Sequence, residues 1–147
     1  MAARPHLPLP ARILLVVDLF LSVSALGGGG AILADTSGGV LHFPADWLSR
    51  LPFSSFFVPG LILFALFGVG SLALFVATLA RSAWAPLGTA VVGFGQIIWI
   101  AVEGVLLGFG HPLQLIYLAV GVAMVALAGW WWFESSTARR RAWAAGS

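Results

Sequence analysis

Three residues spaced seven apart, Thr89, Gln96 and Glu103, sit inside an apolar stretch that runs from Pro86 to Pro112. On a helix that spacing draws them into one polar stripe. A carboxyl in such a segment is expected to face protein or a water pocket, because lipid cannot solvate it. Glu103 lies six residues before Phe109, which puts it ~9 Å inside the outer boundary of its span. Desolvation at that depth favours the protonated acid. Two roles suit such a group. It can carry a proton or bind a substrate, or it can pack between helices, hydrogen-bonded to Gln96, Tyr117 or backbone. His111, in the turn beyond, and Tyr117, early in the last apolar run, complete this candidate polar intramembrane site. Asp18 is the secondary candidate. It falls about one and a half turns from the inner end of the first run, within reach of the interface, Arg12 or Arg81. The two acids are separated by ~13 Å along the membrane normal, too far for a paired-carboxylate mechanism.

Composition removes many other chemistries. The chain has 147 residues, 61% of them hydrophobic and 8% charged. A water-facing globule carries about 25% charged residues, so this chain is read as a membrane protein. It contains no cysteine, which excludes disulfides and thiol redox chemistry. Lysine is also absent, so no internal Schiff base can form. His6, His42 and His111 all fall outside the apolar runs, leaving no pair to ligate a haem within them. His42, Asp46, His111 and Glu103 form at best a weak metal set, and no metal or cofactor is expected. No phosphate-binding loop, nucleophile elbow or HExxH appears, so no catalytic set is recognised. The seven arginines speak of membrane orientation and not of nucleic acid.

The elements that must position these residues are four apolar runs, at 13–34, 56–80, 87–109 and 113–133. Each is long enough to span ~30 Å of hydrocarbon at ~1.5 Å per residue. Residues 1–11 hold three prolines and read as an irregular leader. The first run exceeds the 7–15 apolar residues typical of a signal peptide and contains Asp18, so it is read as a retained span. In the outer loop, 35–55, Pro44 to Leu51 suggests a short amphipathic helix with Trp47, Leu48 and Leu51 on its apolar face. Ser54 or Ser55 is expected to cap the second run, with Pro59 in its first turn. Gly110 is expected to end the third, and Gly104 with Gly108 gives a small-xxx-small surface beside the polar stripe. Residues 134–147 read as a short solvated tail. The predicted fold is all-α: a single-domain, integral membrane, antiparallel four-helix bundle with a short interfacial helix in the first outer loop. Arg4, Arg12, Arg81 and Arg139–Arg141 then lie on one side and Arg50 alone on the other. By the positive-inside rule both termini are cytoplasmic.

The run Phe43-Pro-Ala-Asp-Trp-Leu-Ser-Arg-Leu-Pro-Phe-Ser-Ser-Phe-Phe-Val-Pro-Gly-Leu-Ile-Leu-Phe64, with Gln114-Leu-Ile-Tyr117, resembles small four-span integral proteins of the bacterial inner membrane. That resemblance implies a fold and supplies no activity. The expected partners are the lipid bilayer and a homo-oligomer or larger membrane protein. Three functions follow. The leading expectation is a non-catalytic accessory or structural subunit that docks through its glycine surfaces. The second is an oligomeric small-solute or proton-linked transporter or channel using the Thr89–Gln96–Glu103 stripe. The third is a lipid- or quinone-handling enzyme.

Overall fold

The computed structural model describes residues 6–44 and 46–145, which fold into helices joined by short turns and one longer loop. Four of these helices are long and apolar enough to cross a membrane. Arg4 and Ala45 lie outside the described residues, as do the side chains of Arg139 and Arg141.

α1 runs Leu9–Ala34, four residues longer at its start than the sequence suggested. Pro8 is extended at the N-cap and Pro10 sits in the first turn. A proline there loses no hydrogen bond and has the helical φ already set, so these prolines begin the helix and do not delay it. The second span, Phe57–Leu79, has three parts: α3 (Phe57–Ile62), a π-helical segment (Leu63–Val69) and α4 (Gly70–Leu79). Phe56 takes the N-cap position without a side-chain cap, in place of the expected Ser54 or Ser55, and the Ser55 hydroxyl one residue earlier accepts the Phe57 N–H at 3.3 Å. α5 runs Ala85–Leu107 and ends on Gly108, whose φ of 98° is open to glycine at little cost. The expected end at Phe109, with Gly110 as cap, is therefore two residues too late. α6, Pro112–Ala145, replaces the expected solvated tail with a continuous helix. No proline or glycine interrupts residues 130–145, and the Ser135 and Ser136 hydroxyls donate to the Trp131 and Trp132 carbonyls one turn back.

α1 packs against the second span and against α6, and α5 packs against the same two. Among the described residues no Cα of α1 comes within 8 Å of one of α5, and the long helices share one apolar interior. Leu14, Leu21, Ala25, Phe67, Leu74 and Met124 fill the apolar part of that interior. The outside is equally apolar, with Val16, Val91 and Val105 largely exposed. An exterior of this kind suits hydrocarbon and not water.

The outer loop is organised by Asp35. One carboxylate oxygen accepts the Ser37 hydroxyl at 2.6 Å and the Ser37 amide at 3.0 Å, and the other accepts the Val40 amide at 3.2 Å. Phe43 then packs on Phe56 and on Trp47, with ring centroids 5.0 and 5.3 Å apart. The amphipathic helix α2 is a single turn, Trp47–Arg50, shorter than the expected 44–51. Asp46 takes the N-cap position and also pairs with Arg50 at 2.8 Å. Trp47, Leu48 and Leu51 are half-buried, while Ser49 and Arg50 are exposed, so the expected apolar face survives in the shorter element.

Candidate functional site

Six polar side chains are almost completely buried between the helices: Asp18 and Ser22 on α1, Ser71 and Thr78 on α4, and Thr89 and Gln96 on α5. Each pair repeats at four or seven residues, the intervals that keep a helix face constant. The starts of α1 and α5 and the turn after α4 meet at one end of the molecule, where Pro8, Arg81 and Pro86 line a common cleft. Counted from that end, Asp18, Ser71 and Gln96 stand at about 13, 12 and 16 Å, close to mid-span. Ser22 lies above this layer, and Thr89 and Thr78 lie below it. The six make a polar column in an otherwise apolar interior.

The hydroxyls in this column behave differently from those elsewhere in the chain. Ser24, Ser135, Ser136 and Thr137 donate to carbonyls of their own helices, the usual way for a helical hydroxyl to satisfy itself. Ser22, Ser71, Thr78 and Thr89 do not. Among the described residues their oxygens have no hydrogen-bond partner, nor do Gln96 Oε1 and either carboxyl oxygen of Asp18. An unmet polar group costs about 1–3 kcal/mol when buried, and in hydrocarbon it has no lipid alternative.

The sequence-derived candidates divide on this geometry. Thr89 and Gln96 face inward together, as their spacing required. Glu103 continues the stripe but is only half-buried, near the far end of α5. Its expected bonds to Gln96 and Tyr117 are not formed among the described residues. Gln96 Oε1 is unpartnered, and Tyr117 stacks on Phe20 of α1 at 6.3 Å. His111 is exposed, in the turn beyond the end of α5. Its Nδ1 accepts the Leu113 amide at 3.4 Å. Asp18, placed second by sequence, lies at the centre of the column. Its expected ion pair with Arg12 or Arg81 is not formed among the described residues, where the carboxyl is buried in the interior and neither of its oxygens has a bonded partner. His42, Asp46, His111 and Glu103 do not gather into a group of three or more potential metal ligands among the described residues.

Nothing in the sequence sets Ser22, Ser71 and Thr78 apart from the other hydroxyls of the apolar runs. Their shared depth with Asp18 and Gln96 emerges once the helices are packed. The expected small-residue surface at Gly104 and Gly108 is also revised. The Phe109 ring of the same chain covers Gly104, and Gly108 lies beyond the helix. The glycines that do admit a neighbour serve contacts within the chain: a Cβ at Gly29 would meet the Phe64 backbone nitrogen at 2.6 Å, and one at Gly93 would meet the Gly121 carbonyl at 2.9 Å.

No family model, curated protein or solved structure matches the chain.

Proposed function

We propose that this chain is a proton-linked transporter or channel for a small polar solute. It is built as an antiparallel four-helix bundle in a bacterial cytoplasmic membrane, with both termini on the cytoplasmic side. The observation that carries the reading is the column of buried hydroxyl, amide and carboxyl groups that leave their own helices unbonded. Asp18 is the group that takes up and returns the proton, since it alone in the column changes charge in water's usual pH range. Ser22, Ser71 and Gln96 at neighbouring depths hold water or solute beside it, and Thr89 and Thr78 lead toward the Arg81 end. Glu103 and His111 stand near the opposite mouth. The six-to-one distribution of arginines orients the bundle, and α2 with its apolar face rests in the outer headgroup layer.

The accessory-subunit reading has less to support it, because the close-approach glycines are occupied by contacts inside one chain. The column is likewise lined by a single chain, so a second copy is not needed to enclose it.

The absence of native cysteine allows a direct test. Ser22→Cys and Ser71→Cys place a near-isosteric thiol in the column, and Val91→Cys places one on the lipid-facing side. Thiols react as thiolates, which need water to form. Both column thiols are expected to react with a small hydrophilic methanethiosulfonate reagent much faster than the thiol of the Val91→Cys variant. Column thiols as inert as that lipid-facing one would mean that the interior is dry and the transport reading wrong.

A further inference from the structure

The Arg81 end carries a second feature that the polar column does not use. A cleft of about 410 Å³ opens there between the residues leading into α1, the turn joining α4 to α5, and α6. Its chemistry is set by His6, Arg81, Ser82, Trp131, Trp132 and Ser135. Arg81 brings a guanidinium and His6 an imidazole, two of the others carry hydroxyls, and among the described residues no carboxylate lines the cleft. The acid closest in sequence to its α6 wall, Glu134, accepts the Trp130 indole N–H at 2.8 Å. The turn bearing Arg81 is fixed. Arg81 takes a left-handed backbone conformation with φ 57°, its amide donates to the Thr78 carbonyl at 3.1 Å, and the Ser82 amide donates to that of Ala77 at 2.9 Å. Trp131 forms a buried wall, and Trp132 is half exposed.

We propose that this cleft binds the phosphate of an anionic phospholipid headgroup. A guanidinium and an imidazole beside a serine hydroxyl match phosphate oxygens in charge and donor number. The tryptophans place the cleft at the depth where headgroups lie, and basic pockets between spans suit phosphorylated headgroups. The Ser135 hydroxyl already donates to the Trp131 carbonyl at 2.9 Å, so it offers only lone pairs. That favours a headgroup bearing its own hydroxyls, as a glycerol headgroup does, over a quaternary ammonium with no proton to give. Free phosphate has the same anionic chemistry but gains nothing from the indole walls.

The test is native mass spectrometry of the full chain released from vesicles of phosphatidylglycerol and phosphatidylcholine in equal amounts. The expected result is retention of phosphatidylglycerol over phosphatidylcholine by roughly thirtyfold, for two basic groups at about 1 kcal/mol each. His6→Gln and Arg81→Gln should each remove much of that preference, and Arg50→Gln, at the other end of the molecule, should not. His6 precedes the first helix, so its variant reports on the cleft even if Arg81→Gln disturbs the turn. Equal retention of the two lipids overturns the proposal, as does a preference unchanged in His6→Gln. Displacement of phosphatidylglycerol by millimolar inorganic phosphate would assign the cleft to a free anion and overturn the lipid assignment.

Discussion

A serine in a membrane helix has an inexpensive partner one turn back, and Ser24 takes it by donating to the Phe20 carbonyl at 2.8 Å. Ser22, two residues earlier on the same helix, does not. The difference is the face each occupies, since Ser22 looks inward with Asp18 and Ser24 is half-exposed. A Ser71→Ala variant is therefore expected to fold at least as stably as the parent, because it removes a buried hydroxyl without a bonded partner. Thermal unfolding in detergent measures this, and a marked loss of stability would show that the hydroxyl is bonded in the protein. At the other extreme of exposure, the Ser37 hydroxyl, followed by the Ser37 and Val40 amides, holds the Asp35 carboxyl below the ordinary aspartate range. The sign follows directly. A depressed acid gives the loop order that is fully present above the unfolded value near 4. That order is lost as pH falls through the lower folded value. Hydrogen-exchange protection of the Val40 amide should hold from neutral pH down to about 4 and fail below it. Asp35→Asn should weaken it even at pH 7.

At the scale of the element, the helices approach closely where glycine lets them. Gly93 of α5 faces Gly121 of α6, and Gly29 of α1 faces Phe64 in the π-helical segment. Gly68, also in that segment, faces Leu26 of α1. Filling such a contact should cost about 1–3 kcal/mol, so Gly93→Val is expected to lower the unfolding midpoint. A Cβ at Gly27 would meet no atom within 4 Å, and Gly27→Ala should be neutral or stabilising by up to about 1 kcal/mol. Equal effects at the two positions would contradict the packing. Much at this scale was legible in the sequence. Four apolar runs became four helices long and apolar enough to span, and the seven-residue interval put Thr89 and Gln96 on the buried face. Helix ends were less legible. Pro8 and Pro10 look like breakers until their first-turn position is known, and the polar composition after Phe133 hides a helix whose serines satisfy themselves locally. The π-helical segment has no signature in composition or period.

Taken whole, the molecule is apolar outside, and a few buried polar side chains stand in its apolar interior. The rank of its acids was not legible in the sequence, because depth in a span says nothing about which faces meet. Glu103 stands out in a clean heptad stripe, yet it is half-buried near one end. Asp18 looks close to an interface and is fully buried. The orientation is tested by reporter fusions at Gly38, Ala83, Gly110 and the C-terminus. A periplasm-only reporter is expected to be active at Gly38 and Gly110 and silent at the other two. The central claim is that the interior column carries protons through Asp18. Its most direct test is proton flux into liposomes reconstituted with the purified chain, driven by a potassium-diffusion potential and read with an enclosed pH-sensitive dye. The parent protein is predicted to conduct well above protein-free liposomes. Asp18→Asn should fold with unchanged helicity and fall to the protein-free rate, while Glu103→Gln should assemble normally and lose less of the flux. A folded Asp18→Asn protein that conducts like the parent, or a parent no faster than empty liposomes, would contradict the account.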